Sequence, residues 1–270
     1  MSERHDGVKV TQMKQAQEKI VRAAVLLIGD ELLSGQTQDT NLTHIAKRLQ
    51  ECGIRTGEAR VVADNTEGIL TALNHLRKRY DYVLTTGGIG PTHDDITADV
   101  IAQAFGVEIS HNEEAVRRLE AQYTDSNYVL NESRLRMARI PHGSRLIDNP
   151  VSGAPGFMLG NVVVMAGVPE IMRAMLEHAV SFLEGGALEE SRSVRVHLGE
   201  GDLAAPLRQL QERWKNVRMG CYPSFSDGRS AGVRVVLRSN DTTTLESAFK
   251  ALLEGLGEIS EDVEILQWKE

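Results

Sequence analysis

The sequence predicts an α/β protein: a doubly wound, mostly parallel sheet in three layers, followed by a small α+β, ferredoxin-like domain. Three observations carry that expectation. Over the first two thirds of the chain, short uninterrupted apolar runs alternate with segments of helical spacing, the pattern of parallel strands covered on both faces by crossover helices. From about Leu188 the rhythm changes to strands that alternate apolar and polar residues, as half-buried strands do. The length of 270 residues also exceeds the usual reach of a single core, so two are expected. The expected divisions are a polar N-terminal arm over 1–21, an α/β domain over 22–186 and a small α+β domain over 187–270.

Ala23 to Ile28 is an apolar run ending at Gly29, the expected first strand. Asp39 to Gln50 places Leu42, Ile45, Ala46 and Leu49 at helical spacing, with Asp39 or Thr40 as cap and Gly53 beyond the end, so a helix follows. The unit repeats with a strand over 55–63, a helix over 66–79 and a strand over 80–86. A helix through Ile101 to Phe105 comes next, and 112–137 reads as mostly helical. A passage rich in Pro and Gly, 141–156, separates it from strands near Phe157 and at 162–165. Gly167-Val-Pro-Glu170 opens a helix to about Leu183. The tail reads as strand 193–198, helix 203–214, strands 217–222 and 232–237 and helix 242–256, a split βαβ arrangement.

Composition narrows the function. Hydrophobic residues are 41%, charged residues 25% and the net charge is −8, so no global cationic field draws in nucleic acid or anionic lipid. No apolar run approaches the roughly 20 residues that span a bilayer, and the first 22 residues contain no apolar signal core. Cys52 and Cys221 stand in no metal or redox spacing, which fits a reducing cytoplasm.

Two stretches can carry chemistry. Thr85 to Thr97 combines three glycines, a proline, several hydroxyls and the adjacent Asp94 and Asp95. Glycines let the backbone approach a phosphate closely, and the N–H groups that open the next helix attract an anion. Two carboxylates beside a phosphate call for a divalent cation between them; the plainer alternative is a tight turn followed by an acidic helix cap. The second stretch, Gly29 to Asn41, puts Asp30 and Glu31 directly after the first strand. They would share the metal if the two parent strands are neighbours; otherwise they are a solvated strand end.

These residues carry a family resemblance. Gly29-Asp-Glu-Leu-Leu-Ser-Gly35, Asp39-Thr-Asn41, the run Thr86 to Thr97, Ala154-Pro-Gly-Phe157 and Gly167-Val-Pro169 resemble the molybdopterin-binding (MoaB/Mog-like) fold in its CinA amino-terminal branch. The resemblance spans about 22–185, and the tail with Cys221-Tyr-Pro223 is similar to the domain that follows in CinA-like proteins. The amino-terminal domain of animal FAD synthases is similar too. The resemblance implies phosphate contacts at Thr86, Gly87, Gly88, Gly90 and Thr92, catalytic roles for Asp95, Asp94 and Asp30, and a metal held by Asp30, Glu31 and Asp95. It implies a pocket rim of Asn41, Gly156, Gly167, Pro169 and Glu170. Ser152-Gly153 and Ala166 depart from the Gly-Thr and Pro that the family pattern leads one to expect.

The activity implied is metal-dependent hydrolysis of ADP-ribose, or of FAD, to AMP and a second phosphate ester, with Mg²⁺, Mn²⁺ or Co²⁺. The alternative is non-hydrolytic binding of molybdopterin. Neither a deamidase nor an adenylyltransferase domain is expected within this length. The expected partner is a small phosphorylated ligand, ADP-ribose, FAD or a pterin, with no nucleic acid and no membrane. A cytoplasmic homo-oligomer, a dimer, is also expected. His93 in the loop reads as a solvent-exposed side chain or a phosphate contact, and His44, His75 and His178 as surface or packing residues. Arg134, Arg136, Arg139 and Arg145 read as a steering field for an anionic ligand or as a solvated face.

Overall fold

The computed structural model describes residues 19–124, 129–226 and 229–266; most of the expected N-terminal arm, 1–18, lies outside them. The chain divides between Ala187 and Leu188 into two compact units.

In the first unit, among the described residues, six strands form one sheet. They are β1 (Val21–Ile28), β2 (Ile54–Val62), β3 (Tyr82–Thr86), β6 (Arg145–Ile147), β7 (Gly156–Leu159) and β8 (Val162–Met165), in the order β2-β1-β3-β8-β7-β6. β1 pairs in parallel with β2 and β3, and β3 with β8; β7 runs antiparallel to β8 and to β6. All of β1 except Arg22 is buried, and alternate residues serve opposite cores. Ala24, Leu26 and Ile28 pack with helices α3 (Thr66–Leu76), α4 (Thr97–Phe105) and α5 (Glu113–Thr124). Ala23, Val25 and Leu27 pack with α2 (Asn41–Glu51) and α7 (Pro169–Ala179). Each buried Leu or Ile contributes about 1.5–3 kcal/mol to this sandwich, so the three-layer, mostly parallel architecture is as expected.

The departures are local. The two acids after β1 begin a single helical turn, α1 (Asp30–Leu33). The stretch expected to be mostly helical holds α5, a short α6 (Glu132–Leu135) and a 3₁₀ turn at Arg136–Ala138; residues 125–128 lie outside the described residues. The 3₁₀ turn is followed by β5 (Arg139–Pro141), paired with β4 (Ile109–His111), and the passage expected as loop supplies β6. Three-residue strands are too short to show a period, so pairing partners alone define them.

The second unit runs β9 (Glu190–Val196), α8 (Glu200–Arg213), β10 (Arg218–Ser226), β11 (Arg229–Ser239), α9 (Thr242–Gly257) and β12 (Val263–Leu266). Its sheet order is β10-β11-β9-β12 with antiparallel pairs throughout. Val194, Val196, Val233, Val235 and Leu237 pack against Leu203 of α8 and Leu245, Phe249 and Leu252 of α9. This is the expected ferredoxin-like layer, completed by an edge strand, β12, that the sequence left unread.

Candidate functional site

The chain leaves β1 toward β2 on one side and takes up β3 on the other, so the carboxyl ends of β1 and β3 form the switch point where open α/β sheets bind ligands. A cleft of about 480 Å³ opens there. Its lining includes Gly29, Glu31, Asp64, Gly87, Gly88, Gly90, Asp94 and Asp95 together with the apolar Met137, Ala154, Ala166, Val168, Ile171 and Met175.

The glycine loop is held by close backbone packing. Gly87 and Gly88 take φ of 103° and 67°, conformations that side chains rarely adopt. A Cβ on Gly87 would lie 2.1 Å from the Ile28 carbonyl, and one on Gly88 2.2 Å from Thr97 Oγ1. Gly87 N–H donates to Met165 O at 3.1 Å, and the buried Thr97 returns both its N–H, to Gly88 O, and its hydroxyl, to Gly87 O, each at 3.0 Å. The start of α4 is therefore stitched back onto the loop.

The loop's acidic end is organised from within. Asp95 Oδ2 accepts the Thr92 N–H at 2.8 Å and the Thr92 hydroxyl at 2.6 Å, so that hydroxyl shapes the turn. Asp94 is exposed, and the His93 side chain is fully in solvent with Nδ1 3.9 Å from Asp94 Oδ1. Glu31 folds back until its carboxylate lies against the open face of Gly29, 2.5 Å from where a Cβ would stand.

Asp64 is the residue sequence reasoning missed. One residue, Ala63, separates it from β2, as Gly29 separates Asp30 from β1, and that shared position at the carboxyl edge is the signal that could have found it. Its Oδ2 accepts the Asp30 N–H at 2.8 Å, and its Oδ1 lies 3.6 Å from the position of a Cβ on Gly88. Burial pushes the Asp64 carboxyl above the usual carboxylate range, and the charges of Asp30, Glu31 and Asp94 push it further against the opposing Asp30 hydrogen bond.

The other expected residues divide. Asn41 is buried and donates from Nδ2 to Gly167 O at 2.8 Å, and Gly167 lines the cleft. Pro169 and Glu170 are exposed in the first turn of α7, outside that lining. Thr86 is buried as the last residue of β3, beside Leu27 and Met165. Gly156 belongs to β7, where a Cβ would meet Val164 O at 2.4 Å, so close strand packing explains it. Asn149 joins the rim by accepting from the N–H groups of Val151 and Ser152 and donating to Ala154 O and Ser152 Oγ.

The donor set suits a hard cation, being all oxygen. Among the described residues, however, no three Asp, Glu, His or Cys side chains converge on one point. Asp30, Glu31 and Asp95 are thus not a preformed cage. Mg²⁺ commonly takes one or two carboxylates and completes its shell with ligand phosphates and water, an arrangement compatible with this wall. No helix among the described residues is long and apolar enough to cross a membrane.

Fold and site together define an open α/β domain with a glycine-looped, carboxylate-rich cleft at its switch point. The family model described as "Probable molybdopterin binding domain" matches residues 24–185, and that described as "FAD synthase, middle domain" matches 190–263. A CinA-like protein of Citrifermentans bemidjiense is 44% identical over 59% of this chain and 40% of its own length, so the chain spans about two fifths of that curated relative. A protein of Aeropyrum pernix is 31% identical over 92% of this chain and 96% of its own. The crystal structure of CinA from Thermoplasma acidophilum, titled as of unknown function, is 34% identical and covers 58% of this chain and 95% of that one, with a TM-score of 0.54. The chain belongs to the family of probable molybdopterin binding domains and is CinA-like.

Proposed function

We propose that this protein is a metal-dependent nucleotide pyrophosphatase that cleaves ADP-ribose, or a related dinucleotide such as FAD, to AMP and a second phosphate ester. The observation that carries the reading is Asp64. Its Oδ2 is anchored by the Asp30 N–H while its Oδ1 lies 3.6 Å from the position of a Cβ on Gly88, so the carboxylate can hold a water against a phosphate on the glycine loop, and burial raises its pKa above the ordinary value. Glycine-loop N–H groups would receive the phosphate, Asp64 would orient water and accept its proton, and Asp95 would hold the loop's shape through Thr92. The water oxygen would bond to phosphorus as the anhydride P–O bond breaks, and Asp64 would pass the proton it took to the departing phosphate oxygen. A divalent cation, Mg²⁺, Mn²⁺ or Co²⁺, bound by Glu31 or Asp30 with phosphate oxygens would screen the acids from the ligand and polarise phosphorus. The proposal includes a cytoplasmic homo-oligomer, a dimer, acting on a small phosphorylated ligand, with no nucleic acid or membrane partner.

A second reading, binding of molybdopterin without hydrolysis, draws on the family match over 24–185. Incubating the protein with ADP-ribose, FAD or NAD and each metal, with chromatography of the products, separates the two. AMP formed by the wild type and not by Asp64→Asn or Asp95→Ala supports hydrolysis. Folded protein that turns over none of the three, yet binds molybdopterin, replaces it with the second reading.

A further inference from the structure

We infer that Arg136 is a positioning residue that clamps the acidic end of the glycine loop from behind. This deepens the reading of the site above and rests on it for its catalytic consequence. Three of the arginines expected to steer a ligand or to face solvent are committed elsewhere. Arg145 lies over the Phe182 ring, its guanidinium carbon 3.5 Å from the centroid, and Arg134 lies over Tyr123 at 5.3 Å. Arg139 grips Asp99 with both terminal nitrogens, at 2.9 and 2.6 Å. Arg136 turns to the loop itself: Nε and Nη2 each donate to the Asp95 carbonyl at 3.3 Å, and Nη2 also donates to Asp99 Oδ2 at 3.3 Å.

The arrangement is a chain across three elements. Asp99 on α4 is fixed by Arg139 of β5, and it holds Arg136 of the 3₁₀ turn against the loop. A small cavity of about 20 Å³, lined by Gly88, Gly90, Asp95, Asp99, Arg136 and Arg139 among others, separates the guanidinium from the glycines and is too small for a phosphate. Arg136 therefore acts through the peptide it touches. In a trans peptide the carbonyl and the following N–H point in opposite directions, so holding Asp95 O turns the Ile96 N–H away from Arg136. That fixes the Asp95–Ile96 peptide just ahead of α4, and with it the turn in which Asp95 Oδ2 holds Thr92 at the end of the glycine loop.

The test is amide hydrogen exchange of the whole 270-residue chain across residues 88–97, with strands β1 and β3 as internal controls for global stability, alongside AMP-release kinetics. Arg136→Met should speed exchange in the loop about tenfold, as loss of charge-assisted bonds does, leave the β1 and β3 amides unchanged, and lower kcat about tenfold with KM within twofold. Arg136→Lys, which keeps the charge but lacks the fork, should recover part of the loss, and Asp99→Asn should reproduce part of it. Unchanged loop exchange in Arg136→Met would overturn the clamp whether or not AMP is formed. A wild type that forms no AMP while Arg136→Met loosens the loop would overturn only the hydrolase reading.

Discussion

The backbone N–H of Asp30 donates to Oδ2 of Asp64 at 2.8 Å, tying together the segments that leave the carboxyl ends of β1 and β2. One oxygen of Asp64 is thus spent on the scaffold while the other lies over the glycine loop. Asp64→Asn keeps an oxygen for the Asp30 N–H but cannot take a proton. Removal of a general base costs about 10²- to 10⁴-fold, so kcat for AMP release should fall by that range while the fold is kept. Activity within threefold of wild type would remove Asp64 from the chemistry.

The same substitution makes an opposite prediction for stability. The folded-state pKa of Asp64 is raised by burial and by Asp30, Glu31 and Asp94, so ionisation costs the folded state more than the unfolded one. The penalty is absent below about pH 4, where the unfolded group is also protonated, and grows as pH rises through the folded value. Asp64→Asn removes it and should raise the melting temperature at pH 7 but not at pH 4. A variant that melts lower at pH 7 than at pH 4, relative to wild type, contradicts the strain assigned to this carboxyl.

Glycine positions separate crowding from backbone preference. Gly87 and Gly106 both have positive φ, 103° and 66°, but a Cβ on Gly87 would collide with Ile28 O at 2.1 Å while one on Gly106 meets nothing within 4 Å. Gly106→Ala should cost only the conformational term, about 1 kcal/mol. Gly87→Ala should cost at least about 3 kcal/mol, read from denaturant midpoints, because β1 cannot retreat from a sheet packed on both faces. Equal costs would mean that the loop is not pressed against β1.

What the sequence made legible follows from period and position. The buried run of β1 and the helical spacing of α2 and α3 stand out because one physical demand, burial on a face, repeats along the chain. The Gly87–Thr97 loop was legible because each of its residue types answers a local need. Asp64 was not, because a lone acid after an exposed edge strand looks like any solvated turn until the sheet order places β2 beside β1. Arg136 was assigned to steering or solvent for a related reason: its partner is a backbone carbonyl 41 positions away, and no pattern in sequence reports a contact with a main-chain atom. β12 escaped because only Val263 and Leu266 of its four residues are partly covered.

Asn41 supplies the last test, because it links α2 to the far side of the cleft. It is buried, donates from Nδ2 to Gly167 O at 2.8 Å, and its Oδ1 has no hydrogen-bond partner among the described residues. A Cβ on Gly167 would lie 3.3 Å from Gly87 Cα, so the turn that Asn41 secures leans on the glycine loop. Asn41→Asp sets a carboxylate against the Gly167 carbonyl and should cost about 2–3 kcal/mol at neutral pH, a fall in melting temperature of roughly 5–10 °C. A protonated Asp can donate as the amide did. The folded state therefore raises the pKa of that carboxyl, and the destabilisation should shrink as pH falls from 7 to 4. Asn41→Leu loses the donor together with the unpartnered oxygen, so its cost should be smaller than that of Asp at pH 7 and independent of pH. Two variants destabilised equally at every pH would show that Asn41 fills space at this junction and that its hydrogen bond to Gly167 contributes nothing.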